Sequence, residues 1–170
     1  MFVPWGPIFR TSDALGVSKI FLCGISGSSP TNFGFGGEWS RINPKLYSKL
    51  VGGKYPYSDG KAINPKISKT ALGAEKTVPF EYCKQTSRLI DRLRGDKIKI
   101  VALEKDKGAI DYRKFKPSFP MALIVGNEVK GVSKKVLQKA DEIIFLPMLG
   151  EKESLNVSVA FGVAGYHINK

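Results

Sequence analysis

The chain has little of the side-chain chemistry on which most enzymes rely. Among its 170 residues there is one histidine and there are two cysteines. A lone His167 gives little support to a Ser-His-Asp triad, and one His with two isolated Cys does not make a standard zinc site. No metal is expected. Cys23 ends one apolar run and Cys83 follows another, Val78-Pro-Phe-Glu-Tyr, so both read as buried, reduced thiols. No apolar run reaches the roughly 20 residues that a membrane helix requires. Met1-Phe-Val-Pro-Trp5 lacks the basic segment and apolar core of a secretion signal. The expectation is a cytoplasmic protein with no membrane partner.

Acidic residues are also scarce. Fifteen Asp and Glu face 27 Lys and Arg, for a net charge of +12. Such a surplus suits a polyanion, whose counterions are released when cations take their place. Apolar residues make up 42% of the chain, enough to build a globular core. At this length one domain, 1–170, is expected.

Two nucleotide signatures are missing. Gly126-Asn-Glu-Val-Lys-Gly131 has the outer glycines of a P-loop, but Val132 stands where its lysine must be. No G-x-G-x-x-G follows a strand, which argues against a dinucleotide site.

The chain instead alternates short apolar runs with amphipathic segments. Ile20–Cys23, Ile98–Leu103, Met121–Val125 and Ile143–Leu146 read as strands buried on both faces of a parallel sheet. Helices are expected over Arg10–Leu15, Thr86–Arg94, Ser133–Ala140 and Ser154–Ile168. This order is that of an α/β fold. From about residue 27 to 66 the pattern lapses into Gly, Ser, Pro, Tyr and Lys. There Arg41, Lys45, Lys49, Lys54, Lys61 and Lys66 outnumber Glu38 and Asp59. Aromatics among cations suit unpaired bases and phosphates, but they suit equally well an insertion covering a small satellite core.

Two blocks near the C-terminus carry the most specific signal. Ala122-Leu-Ile-Val-Gly-Asn-Glu-Val-Lys-Gly-Val-Ser133 is a strand, a Gly-Asn-Glu turn, a second glycine and a helix cap. Ile143-Ile-Phe-Leu-Pro-Met-Leu-Gly-Glu-Lys-Glu-Ser-Leu-Asn-Val-Ser-Val-Ala160 is a strand ending at Leu-Pro-Met, a turn, and a helix opening with Ser-Leu-Asn. Pro147 ends ladder pairing there and frees nearby carbonyls. Ser154 and Asn156 are expected in the first helical turn, where free N–H groups attract polar ligands. Asn156-Val-Ser158 is also a glycosylation sequon, a coincidence in a cytosolic helix.

These blocks resemble the second and third motifs of the SpoU (TrmH-like) RNA methyltransferases of the SPOUT superfamily. Gly6-Pro-Ile-Phe-Arg-Thr-Ser-Asp-Ala-Leu-Gly-Val17 resembles the family's first motif, and Lys69–Glu81 is similar to a segment of one branch. The resemblance implies a SPOUT-type parallel sheet flanked by helices, with a C-terminal trefoil knot. It implies S-adenosyl-L-methionine held by the backbone of three loops, at Leu103 and Glu104, at Gly126, and from Leu146 through Met148 to Leu155. The implied activity is methyl transfer to a ribose 2′-hydroxyl of tRNA or rRNA, by a homodimer. Arg10 matches the motif-one arginine, which positions the phosphate beside the target ribose or assists deprotonation. Glu128 matches the motif-two acid, and Ser154 and Asn156 match the motif-three polar pair. Each has an alternative: a surface cation for Arg10, a cap for Glu128, an N-cap for Ser154, a first-turn polar residue for Asn156. Pro4 stands where the family carries Asn, and the family's first strand has no counterpart, so the chain reads as shortened at its N-terminus. That departure keeps open a second expectation, a catalytically impaired relative that binds RNA without methylating it.

Overall fold

The computed structural model describes residues 5–23, 37–41, 69–83, 85–127 and 130–170. Its centre is a sheet built from the apolar runs. In chain order the elements are α1 (Trp5–Ala14), β1 (Lys19–Cys23), β2 (Gly37–Arg41), α2 (Ala74–Thr77), β3 (Phe80–Cys83), α3 (Thr86–Gly95) and β4 (Lys99–Leu103). There follow β5 (Ile110–Asp111), a 3-10 turn (Tyr112–Lys114), β6 (Met121–Val125), α4 (Lys134–Leu137), β7 (Glu142–Phe145) and α5 (Val157–Ile168). The strand order is β3-β1-β2-β6-β4-β7-β5. The pairs β1–β3, β4–β6, β4–β7 and β5–β7 are parallel. β2 alone runs antiparallel, to β1 on one side and β6 on the other.

Side-chain alternation divides the core into two layers. Ile20 and Leu22, Val101, and Met121, Leu123 and Val125 point to one face, where they meet Ile8 and Phe9 of α1 and Phe161 and Ala164 of α5. Phe21 and Cys23, Ile100 and Ala102, and Ala122 and Ile124 point to the other, against Leu89, Ile90 and Leu93 of α3 and Leu137 of α4. A strand buried on both faces has no polar side to mark it, which is why these segments read as continuous apolar runs. The α/β class with parallel strands is therefore as expected.

Differences from the expected elements have local causes. α1 begins five residues earlier than its apolar pattern suggests, and it ends before Gly16, whose φ of +63° suits glycine. Gly6 within it lies against Thr70, so closely that a Cβ there would overlap that residue. β5 and β3 were not expected. β5 is two residues long, and Phe80-Glu-Tyr-Cys83 carries a charge mid-strand. That charge is satisfied: Lys19, buried at the start of β1, donates to Glu81 at 2.6 Å, and Arg92 of α3 donates to the other oxygen at 2.9 Å. In the 3-10 turn, Asp111 accepts from Arg113, which drives its carboxyl down to about 2.

The insertion departs from its expected lack of structure at one place. Gly37–Arg41, a charged five-residue stretch with no apolar run to mark it, forms β2 in the middle of the sheet. The remainder of the insertion, and with it the expected role of its aromatics and cations, lies outside the described residues, as does Pro4.

Candidate functional site

Parallel strands bring their C-terminal ends to one edge, where ligands of open α/β sheets bind. β4, β6 and β7 are in register there, with Leu103 beside Val125 and beside Ile144. Where the three chains leave the sheet they line a cleft of about 950 Å³. All six residues expected to hold a cofactor, Leu103, Glu104, Gly126, Leu146, Met148 and Leu155, line it. So does Ser154. Three segments far apart in sequence thus meet at one place.

The second segment is a tight turn. The Asn127 and Gly131 backbones exchange hydrogen bonds at 3.2 and 2.8 Å, and Asn127 Oδ1 accepts from the Lys130 N–H at 3.0 Å. Gly131 has a φ of +62°, where an L side chain is strained. A Cβ on Gly126 would overlap the Gly131 and Val132 backbone, and one on Gly131 would overlap Glu104 Oε2. That oxygen accepts from the Val132 N–H at 2.7 Å, while Glu104 Oε1 accepts from the Lys105 N–H at 3.0 Å. Glu104 therefore contributes a side chain as well as backbone, joining the β4 end to the glycine turn. Glu128 lies outside the described residues.

The third segment runs from β7 to α5. Pro147 and Met148 are half-buried, and Leu149 to Asn156 are exposed. The helix opens at Val157, so Ser154 and Asn156 are not in its first turn as expected. The physical reason is a cap. Asn156, at φ −55° and ψ 138°, turns its Oδ1 onto the Ser158 N–H at 2.9 Å and the Ser158 hydroxyl at 2.6 Å. The capping role expected of Ser154 thus belongs to Asn156, and Ser154 sits two residues ahead of it, on the cleft. The Ser133 expected to cap α4 occupies the N-cap position without a side-chain bond.

Arg10 is exposed on α1 and does not line the cleft. Its helix packs against α5, with Thr11 in contact with Gly162 and Leu15 against Gly165. Within one chain, the motif-one arginine and the cleft are separate. Several further residues line the cleft: Lys130, Val132 and Glu153 within the motif blocks, and Lys105, Asp106 and Lys134 next to expected positions or blocks. The charged side chains among the described lining residues are Glu104, Asp106 and Glu153 with Lys105, Lys130 and Lys134. Among the described residues no cluster of three or more His, Cys, Asp or Glu could hold a metal, and no helix is long and apolar enough to cross a membrane.

The sheet and its cleft are those of an open α/β domain that binds its ligand at the C-terminal strand edge, and sequence comparison narrows the class. Residues 55–166 match the SpoU rRNA Methylase family. A tRNA (guanosine(18)-2′-O)-methyltransferase of Aquifex aeolicus is 33% identical over 118 residues, covering 68% of this chain and 54% of that protein. The 23S rRNA (guanosine(2553)-2′-O)-methyltransferase of Bacillus subtilis is 34% identical over 107 residues, covering 63% of this chain and 42% of that protein. The crystal structure of an AdoMet-bound rRNA methyltransferase from Sinorhizobium meliloti superposes with a TM-score of 0.70 at 24% identity, covering 96% of this chain and 49% of that one. The chain belongs to the SpoU methylase family. It spans about half the length of the curated relatives it matches.

Proposed function

We propose that the protein transfers a methyl group from S-adenosylmethionine to a ribose 2′-hydroxyl of tRNA or rRNA. The observation that carries this reading is the convergence, in one family member, of Leu103, Glu104, Gly126, Leu146, Met148, Ser154 and Leu155 on a single cleft. The cleft fits the cofactor on its own chemistry. Its volume of about 950 Å³ accommodates a nucleoside-sized ligand. Its described side chains carry both signs, as suits a ligand with a carboxylate, an ammonium and a sulfonium. Gly126 and Gly131 let the turn fold tightly against Val132 and Glu104, which sets the shape of this wall. Bound there, the cofactor supplies an activated methyl group.

The chain's own part is alignment and proton handling. Leu103, Gly126, Leu146 and Met148 would hold the cofactor through backbone groups, and Leu155 would cover an apolar surface. Ser154 and Asn156 would orient the target ribose at the opening of α5. Glu128 and Arg10 would hold the neighbouring phosphate, with Arg10 charged and positioning the substrate.

Arg10 and the cleft are separate in one chain, which favours a site completed by a second copy. α5 carries a row of exposed apolar residues suited to that contact: Val159, Val163 and Tyr166. We propose a homodimer packed through this face, with the C-terminal segment threaded as a trefoil knot and the site in the cytoplasm with its RNA.

Titration calorimetry with S-adenosylmethionine is the first test, and a folded sample that shows no binding at millimolar cofactor would sink the reading. Transfer of a radiolabelled methyl to total RNA comes next. It is expected to be lost in Arg10→Ala, with the label on a ribose oxygen after digestion to nucleosides. The separation of Arg10 from the cleft also sustains the second reading, an RNA-binding relative without transferase activity. Cofactor binding without incorporation into any RNA would select it.

A further inference from the structure

Both cysteines, far apart in sequence, lie side by side on neighbouring strands outside the cleft. Cys23 is the last residue of β1 and Cys83 the last of β3, and the two are direct partners in the parallel register. In-register neighbours in a sheet are about 4.8 Å apart, within the roughly 4.4–6.8 Å between Cα atoms that a disulfide spans. Both side chains join the same hydrophobic layer, so they leave the sheet on the same face.

We propose that Cys23 and Cys83 form an oxidation site, in which a peroxide converts the two thiols into a disulfide that ties the sheet's edge strand to its neighbour. The two thiols differ in access. Cys83 is half-buried and Cys23 is 1% exposed, and neither is in a disulfide. Cys83 is therefore the sulfur an oxidant reaches. Its sulfur attacks the peroxide, the O–O bond breaks, and one water leaves as Cys83 becomes a sulfenic acid. The Cys23 sulfur then attacks the Cys83 sulfur, the S–O bond breaks, a second water leaves, and the S–S bond forms. Two thiols are oxidised and one peroxide is reduced to two waters.

The closure falls at the end of an edge strand. β3 is four residues long, among the described residues it pairs with β1 alone, and Cys83 is its terminal residue. In the reduced state the Cys83 Sγ donates to Glu81 Oε1 at 3.5 Å, an oxygen that also receives Arg92. Turning Cys83 toward Cys23 gives up that weak bond while Arg92 and Lys19 keep Glu81 satisfied. The cross-link closes the whole stretch between residues 23 and 83 into a ring, and long rings restrict the unfolded chain most.

The full chain, first reduced and then given a small excess of hydrogen peroxide, is expected to lose about 2 Da with no added oxygen, and to yield a Cys23–Cys83 peptide on digestion. Its melting temperature is expected to rise by about 5–10 °C, reversed by dithiothreitol. Cys83→Ser is expected to show neither change. It substitutes a half-exposed residue, and so decides the matter even where a Cys23 variant does not fold. Persistence of two free thiols after oxidation, oxygen added to Cys83 alone, or disulfide-linked dimers of the chain would each overturn the proposal.

Discussion

The Glu104 carboxylate stands where a Cβ on Gly131 would lie, and the same Oε2 takes the N–H of the next residue, Val132, at 2.7 Å. One acid thereby fixes the distance between the end of β4 and the glycine turn, two of the three walls of the cleft. A charge-assisted bond to a backbone N–H is worth about 1.5–3 kcal/mol. Glu104→Gln keeps one acceptor where two N–H groups need one each, so cofactor affinity is expected to fall roughly ten-fold by calorimetry. Far-UV circular dichroism should stay unchanged, because the β4–β6 ladder does not depend on the side chain. Affinity equal to that of the parent protein would show that the turn holds its shape without Glu104.

Gly126→Ala tests the same wall from the other side. The added methyl meets the Gly131 and Val132 backbone, which has no flexible end to move aside. Overpacking of this kind costs about 1–3 kcal/mol. The expected result is a melting temperature lower by several degrees and a larger loss of cofactor affinity than Glu104→Gln gives. Gly150→Ala, where a Cβ meets nothing, is the control and should leave both unchanged.

The motifs and the two-sided burial of the sheet were legible in the sequence because each depends on residues close together in the chain. Met121–Val125 was legible to the residue, since both its faces are apolar. The site residues that line the cleft were legible through the family resemblance, which marks backbone turns as well as side chains. Register and capping were not legible. Whether Ser154 or Asn156 caps α5 depends on which side chain reaches a free N–H, and the two differ by only two positions. The pairing of Gly37–Arg41 between β1 and β6 was hidden for another reason. It is a contact between distant segments, and the stretch carries two charges and one glycine in five residues. Glu104 escaped notice as a side chain because its partner, the Val132 N–H, lies 28 residues away.

Asn156 has a structural and a proposed catalytic role, and two substitutions separate them. Removing an N-cap costs about 1 kcal/mol, so Asn156→Ala is expected to lower the melting temperature by about 2–4 °C. Asn156→Ser restores an acceptor for the Ser158 N–H and is expected to recover most of that loss. Methyl transfer should stay low in both, because serine does not reproduce the amide offered to the target ribose. Equal recovery of stability and activity in the serine variant would assign Asn156 to the cap alone.

Acid stability should depend on Glu81. Burial works against ionisation of this carboxyl, but hydrogen bonds from Lys19 and Arg92 outweigh it and hold the group below its ordinary range. A carboxyl lowered in the folded state stabilises the protein above its unfolded value, about 4.3 for Glu. That contribution is lost as the pH falls through the lower folded value. Urea midpoints taken from pH 7 to pH 3 are expected to hold steady to about pH 5 and then fall. Glu81→Gln should be less stable at pH 7 and flatter below pH 5, because it has no charge to lose. A Gln variant with the same acid slope as the parent would place the dependence in other groups.

The exposed row on α5 makes a prediction about assembly. Val159, Val163 and Tyr166 are 51, 41 and 59% exposed, and their spacing of four and three residues puts them on one side of the helix. The opposite side, with Phe161, Ala164 and Ile168, is already buried against the sheet and α1. An apolar row left in water tends to associate, and α1, which carries Arg10, packs against the same helix. Sedimentation at tens of micromolar is expected to show two copies of the chain. Val159→Lys with Val163→Lys places two like charges on the face and is expected to give a single copy with unchanged circular dichroism. If Arg10 serves the partner's cleft, this monomer should still bind cofactor but transfer no methyl group. A monomer as active as the parent would place Arg10 and the cleft of one chain in the same site and remove the need for a second copy.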